Sequence, residues 1–237
     1  MSISKIIILP TYNEEDNLEK LIEIFKRDFP DFFLLVVDDS PNNLTKETFD
    51  KSNYQKSKII VRGKKLGRGS AVRRGFEFAI ENNCSLIVEM DTDFSHDPKD
   101  LKRIIQYFQQ SDNDIVIGSR YLKDSKIVNW ELQRRIFSRL ANFLARLLFN
   151  FSIKDYTNGF RVYNYKTVKK ITSYPLINSG FIYLTETLVI AFKNNFKCSE
   201  LPITFVNRTR GQSSVNLKGV FDSFIGILKI KLNSKNL

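Results

Sequence analysis

Five short apolar runs punctuate the first half of this 237-residue chain: Lys5–Leu9, Phe32–Val37, Lys58–Val61, Ser85–Met90 and Asp114–Gly118. Each is bounded by turn residues, the mark of a buried strand. Between them lie stretches with helical spacing. Leu18, Leu21, Ile22 and Phe25 form one apolar face, Leu44–Lys51 a short second helix, and Val72, Phe76, Ala79 and Ile80 another face. Leu101–Gln109 follows, opened by Pro98, whose missing N–H costs little at a helix start. Strands alternating with helices build a parallel sheet covered on both faces, because each crossover is right-handed. The expected fold is therefore α/β and Rossmann-like, with a mostly parallel sheet and helices on both faces. The expected organisation is one domain over 1–216, with halves 1–121 and 122–216, and an amphipathic C-terminal helix over 217–237.

In such a sheet, ligands bind outside the carboxyl ends of the strands. The residues there are chemically unlike. The first run ends in Pro10, Tyr12 and Glu14, the second in Asp38 and Asp39, the fourth in Asp91 and Asp93, and the fifth in Gly118-Ser-Arg120-Tyr121. A ring and carboxylates at the first two ends suit a base and its N–H groups. Two acids at i and i+2 on a tight turn offer hard oxygens to Mg²⁺ or Mn²⁺ shared with a diphosphate. Arg120 matches phosphate in bidentate fashion. Gly63–Gly69 is a glycine- and cation-rich loop before a helix. The single histidine, His96, reads as a turn or supporting residue rather than a catalytic one.

Beyond residue 122 the pattern changes. Trp130–Phe151 reads as a helix with apolar Leu132, Ile136, Phe137, Leu140, Phe143, Leu144, Leu147 and Leu148, its other stripes carrying Arg134, Arg135, Ser138, Arg139 and Arg146. A basic amphipathic helix of this kind suits a membrane interface; a helix packed on its own domain with a solvated basic face has the same pattern. Arg134 and Ser138, at i and i+4, share a face and together suit a phosphate. Asp155 is a third acid near the site, in a polar loop leading into a strand. A helix is expected over Leu184–Asn194, a strand over Lys197–Val206, and a cationic lid over 207–214. The tail has apolar Leu217, Val220, Phe221, Phe224, Ile225 and Leu228 on one side, and suits either a membrane surface or the helix from residue 131.

The net charge of +11 points to nucleic acid, an anionic membrane surface or a polyanionic small substrate. No nucleic-acid-binding signature is present, so no nucleic-acid partner is expected. Cys84 and Cys198 lack metal-ligand spacing and read as reduced core thiols. The N-terminus runs straight into a strand rather than a leader, and no apolar run reaches the ~20 residues needed to span a bilayer.

Taken in order, these pieces resemble the catalytic domain of the dolichol-phosphate mannosyltransferases, inverting sugar transferases of the GT-A fold. They are Pro10-Thr-Tyr-Asn-Glu-Glu, Val36-Val-Asp-Asp-Ser-Pro, Gly67-Arg-Gly-Ser-Ala with Gly75, Asp91-Thr-Asp, Gly118-Ser-Arg-Tyr, Arg134 with Ser138, Asp155-Tyr-Thr-Asn-Gly-Phe-Arg, and Arg208 with Gly211 and Ser213. The resemblance implies that Pro10, Tyr12, Glu14, Val37 and Asp39, with Gly67, hold the nucleotide. It implies that Asp91 and Asp93 bind the divalent metal, with Ser95 where the family often has Gln. It implies that Arg120, Arg134 and Ser138 receive a lipid phosphate, and Arg208 the donor diphosphate. Ser214 stands where the family often has Lys. The activity so implied is transfer of mannose from GDP-mannose to a polyprenyl or dolichyl phosphate on the cytoplasmic face of a membrane. The protein would attach there peripherally or through a small membrane-anchoring partner. A UDP-sugar transferase acting on a bacterial-type polyprenyl phosphate shares the early motifs. An inert membrane- or nucleic-acid-binding module would share the fold.

Overall fold

The computed structural model describes residues 3–175, 177–207 and 217–234, with the backbone alone for 217–223. The first half alternates as expected: β1 (Lys5–Thr11), α1 (Glu15–Asp28), β2 (Phe33–Asp38), α2 (Leu44–Lys51), β3 (Ser57–Val61), α3 (Arg68–Glu81), β4 (Leu86–Glu89), α4 (Pro98–Gln110) and β5 (Ile115–Ser119). The second half adds β6 (Lys126–Val128), α5 (Leu132–Phe149), β7 (Arg161–Asn164), α6 (Tyr165–Thr172), α7 (Tyr183–Lys193), β8 (Cys198–Pro202), β9 (Thr204–Val206) and α8 (Leu217–Asn233).

The seven-stranded sheet has the order β3-β2-β1-β4-β7-β5-β8. Alternate residues of each strand feed two cores. Ile6, Ile8, Leu35, Val37 and Ile87 pack with Val72 and Phe76 of α3 and Leu188 of α7. Ile7, Leu9, Leu34, Val36 and Val88 pack with Leu18, Leu21 and Phe25 of α1 and Ile104 of α4. Apolar side chains on both strand faces make these runs continuous rather than alternating, which is why they read as buried strands.

The sheet is mostly parallel, as expected, with one exception: β7 runs antiparallel to both β4 and β5. Its chain comes from the 155–160 loop at the cleft edge, so it enters the sheet from the carboxyl ends and must run backwards. The strand expected over Lys197–Val206 is two strands. Pro202, which has no N–H to donate, closes β8 on β5, and β9 pairs instead with β6. The cap of α1 is Glu14, and Asn17 Nδ2 donates to Glu14 Oε2 at 2.7 Å. The basic helix is trimmed to α5 by Glu131 at its start and by Asn150, left-handed at φ 54°, at its end. The expected lid beyond Asn207, with Arg208, Gly211, Ser213 and Ser214, lies outside the described residues.

The tail helix α8 packs on the protein: Ile227 and Ile230 are fully buried with Ala141 of α5 and Val189 of α7. Cys84 and Cys198 are both free thiols, and burial pushes them up to about 11 and about 12, as inert packing groups. No helix among the described residues is long and apolar enough to cross a membrane.

Candidate active site

The carboxyl ends of β1, β2, β4 and β5 open into one cleft of about 680 Å³. Asp91 and Asp93 line it together with Tyr12 and Asp39. The turn carrying the two acids is braced from below. His96 is fully buried and stacked on Phe160 at 4.7 Å. Its Nδ1 accepts the Asp91 backbone N–H at 3.2 Å, which puts the ring proton on Nε2, facing Asn158 Oδ1 at 2.9 Å. Phe94, between Asp93 and Ser95, is left-handed at φ 59°, a strained conformation for a bulky residue. The kink lets the Ser95 N–H and hydroxyl both donate to Asp93 Oδ1. Ser95 therefore orients Asp93 more than it stands as an independent third donor.

Asp39 is spent internally. Its Oδ1 accepts from Arg62 Nε at 2.5 Å, and its Oδ2 from the N–H groups of Leu66 and Gly67 at 2.8 and 3.2 Å. It thereby fixes the glycine loop against the end of the cleft that Tyr12 and Glu14 line. Gly67 sits at φ 96°, and a Cβ there would lie 2.5 Å from the Ser179 carbonyl oxygen. Tyr12 is exposed, with Lys65 Nζ 4.5 Å from its ring centre.

Arg68, the first residue of α3, bridges the floor. It donates to Asp91 Oδ1 at 2.7 Å and to Glu89 Oε1 at 2.6 Å. Burial pushes the Asp91 carboxyl up, but Arg68 more than offsets that and holds it below the usual carboxylate range. The second oxygens of Asp91 and Asp93 accept no hydrogen bond among the described residues. Among the described residues, no group of three or more His, Cys, Asp and Glu side chains is arranged to hold a metal ion. The free oxygens of Asp91 and Asp93 would offer a divalent ion two hard ligands, fewer than it needs, so they fit an ion that also takes ligands from outside the protein.

The far end of the cleft is arginine-lined and apolar. Arg120 donates from Nε and Nη2 to the two oxygens of Asp155 at 2.8 Å each. Its guanidinium carbon lies 5.2 Å from the Trp130 ring and 5.3 Å from that of Phe205. Asp155 is thus a buried partner of Arg120 rather than an acid facing the cleft. Glu200 on β8 accepts the N–H groups of Lys154 and Asp155 at 2.8 Å each, fixing that loop. Arg134 and Ser138 both reach the cleft from α5; Arg134 Nη1 donates to Asn207 Oδ1 at 3.0 Å, and Tyr121 Oη donates to Ser138 Oγ at 2.7 Å. Phe137 and Ala141 of α5, Phe181, Ile182 and Phe224 add an apolar wall.

Of the residues singled out from sequence, Pro10, Tyr12, Glu14, Asp39, Gly67, Asp91, Asp93, Ser95, Arg120, Arg134 and Ser138 meet in this cleft. Val37 does not: its side chain is fully buried in the core beside Ile8 and Val72. Val37 lies inside β2, covered by α3, whereas Asp39 follows the last residue of the strand, where the chain leaves the sheet. Sequence reasoning missed the role of Arg68, although an arginine between two glycines at a helix start was a visible signal. It also missed Phe181 and Phe205, which only the tertiary fold brings to the cleft.

A carboxyl-edge cleft with a tethered glycine loop and a paired-acid turn defines a sugar-transferring enzyme of the GT-A type. The chain belongs to glycosyl transferase family 2, whose family model matches residues 6–172. It is 32% identical over 214 residues to the polyprenol monophosphomannose synthase of Mycolicibacterium smegmatis, covering 89% of this chain and 80% of that one. It is 30% identical over 211 residues to the undecaprenyl-phosphate mannosyltransferase of Micrococcus luteus, covering 88% and 86%. Among solved structures, its fold is similar to that of glucosyl-3-phosphoglycerate synthase from Mycobacterium tuberculosis in complex with Mn²⁺, UDP-glucose and phosphoglyceric acid. The TM-score is 0.72 at 15% identity, over 99% of this chain and 80% of that one. The protein is a glycosyltransferase, which sets aside the inert binding module.

Proposed function

We propose that the protein transfers mannose from GDP-mannose to a polyprenyl or dolichyl phosphate, with inversion, at a membrane surface. One observation carries the reading: a single cleft joins an acid-lined end to an arginine-lined end with an aromatic wall. A soluble sugar or small acid acceptor has no use for that wall. A lipid phosphate uses both the arginines and the apolar surface. The names of the two relatives support the acceptor class and the sugar.

The chemistry asks little of a base. A phosphate monoester has its second pKa near 6, so the attacking oxygen is already anionic near pH 7. Arg120, fixed by Asp155, leaves Nη1 without a partner among the described residues, available to the acceptor phosphate. Arg134 and Ser138 lie on the same side. Tyr12, Glu14 and the loop tethered by Asp39 seat the nucleotide, and Asp91 and Asp93 would hold Mg²⁺ or Mn²⁺ at its diphosphate. The ion supplies positive charge to the leaving diphosphate.

The outer face of α5 supports peripheral attachment. Leu132, Ile136, Leu140, Phe143 and Leu147 are spaced 4, 4, 3 and 4 residues apart and all exposed, Leu132 by 71% and Leu147 by 68%. Arg139 and Arg146, also exposed, border this stripe. An apolar stripe edged by cations suits the interface of an anionic membrane, and the free thiols suit its cytoplasmic side. Incubation with GDP-mannose or UDP-glucose, a polyprenyl phosphate and Mn²⁺, followed by lipid extraction, tests the reading. GDP-mannose-dependent labelling of the lipid is the expected result. Labelling from UDP-glucose alone moves the donor to the UDP class, and no lipid product from either overturns the acceptor.

A further inference from the structure

Arg68 does more than fill space beside the acid pair. Nε donates to Asp91 Oδ1 at 2.7 Å, and Nη2 lies 2.5 Å from the same oxygen as an ion pair. Nη1 donates to Glu89 Oε1 at 2.6 Å and to Tyr183 Oη at 2.5 Å. Glu89 is fully buried and the Arg68 side chain only 9% exposed. The surroundings are cut to admit this guanidinium: a Cβ on Gly159 would come within 2.0 Å of Nη2. The rings of Tyr183 and Phe181 lie 5.5 and 5.9 Å from its central carbon. Burial disfavours its charge, but attraction to Asp91 and Glu89 more than compensates, so the group is a permanent cation.

Asp91 thus carries a resident counter-charge on one oxygen. A divalent ion on its other oxygen meets a like charge a few ångströms away, in a site dry enough for that repulsion to count. A diphosphate brings the negative charge that cancels it. Building on the proposed function, we propose that Arg68 is a positioning residue that makes divalent-ion binding conditional on the donor. It keeps the ion affinity of the nucleotide-free protein low, and the ion binds tightly only together with the diphosphate. Ion and sugar donor would then enter as one unit.

The test is Mn²⁺ titration of the full chain, following the paramagnetic resonance of the free ion, with and without GDP or UDP. Three variants are compared: Arg68→Met with Glu89→Gln, which removes the cation and the acid buried with it; Arg68→Gln, which keeps a donor to Glu89; and Arg68→Lys, which keeps the charge. The unaltered protein is expected to bind Mn²⁺ at least tenfold tighter with nucleoside diphosphate. The two neutral variants, folded by circular dichroism, are expected to bind Mn²⁺ alone at least tenfold tighter than the unaltered protein. The lysine variant is expected to stay weak. General damage to the site would weaken ion binding, so a gain separates the proposal from a structural role. Unchanged or weaker nucleotide-free affinity in the neutral variants, with diphosphate-dependent binding intact in the unaltered protein, overturns the role of Arg68 alone. No Mn²⁺ binding by the unaltered protein with either diphosphate overturns the proposed function and this inference with it.

Discussion

Arg120 and Asp155 form a bidentate pair at the arginine-lined end of the cleft, with Asp155 wholly buried and the Arg120 side chain 6% exposed. The Arg120 N–H also donates to Asp155 Oδ2 at 3.0 Å. A buried pair is weak evidence of net stabilisation, because desolvation offsets much of the attraction. Its use here is to aim a guanidinium. Burial pushes the Asp155 carboxyl up, and Arg120 more than reverses that, holding it below the usual carboxylate range.

Asp155→Asn leaves the guanidinium buried without its counter-charge. The expected cost is about 3–5 kcal/mol of unfolding free energy, measured by chemical denaturation. Because the native carboxyl titrates low, its contribution is fully present above the unfolded pKa of about 4 and is lost as pH falls through the lower native value. The unaltered protein should therefore lose stability on acidification below about pH 4, and the variant should show a flatter acid limb. An equally steep limb in the variant would assign the acid sensitivity to other groups, Asp91 first.

Asp93→Asn tests the acid turn with little cost to the fold. The Asn Oδ1 still accepts from the Ser95 N–H and hydroxyl, so the turn keeps its bonds. Turnover is expected to fall by about two orders of magnitude or more, since charge stabilisation at the leaving diphosphate is lost. Near-normal turnover would reject Asp93 as an ion ligand.

Gly75 belongs to the conformation of α3 less than to its approach to the sheet. A Cβ there would lie 2.5 Å from Ile8 Cγ2, and Ile8 is fully buried in β1. Gly75→Ala should cost about 1–3 kcal/mol by overpacking. In a chain of this size each kcal/mol lowers the melting temperature by about 2–4 °C. An unchanged melting temperature would mean that α3 can shift outward freely.

The first half of the chain was legible because its signals are local. Each of β1, β2 and β4 lies within a few residues of the acids that follow it, and a continuous apolar run declares a doubly covered strand by itself. The reversal of β7 was not legible. Its direction depends on where the 122–160 excursion re-enters the sheet, which no short window carries. That the Val37 side chain stays in the core was not legible for a related reason: a strand end is visible in sequence only to within a residue or two, and Val37 is still inside β2 under α3 while Asp39 is past its end. Asp155 was seen as an acid near the site; that it is spent on Arg120 is a contact across 35 residues. The basic amphipathic pattern did not say which residues of the helix pack inward. Leu144 and Leu148 pack inward, while Leu132 and Phe143 do not.

That division on α5 yields the last prediction. Phe143 and Leu147 are 63% and 68% exposed, so replacing them removes little packing. Phe143→Asp with Leu147→Asp should leave the melting temperature within a few degrees of the unaltered protein. If the stripe lies in a lipid interface, each side chain contributes up to about 1.5–3 kcal/mol of transfer free energy there. Co-sedimentation with vesicles of phosphatidylcholine and phosphatidylglycerol should then weaken at least tenfold for the pair. Arg139→Glu with Arg146→Glu should weaken it mainly at low salt, because exposed charges are screened within about 10 Å at 0.1 M. Turnover on a detergent-dispersed, short-chain polyprenyl phosphate should survive both pairs, since neither touches the cleft. Vesicle binding that survives the apolar pair unchanged would move attachment off α5, to α8 or to an anchoring partner.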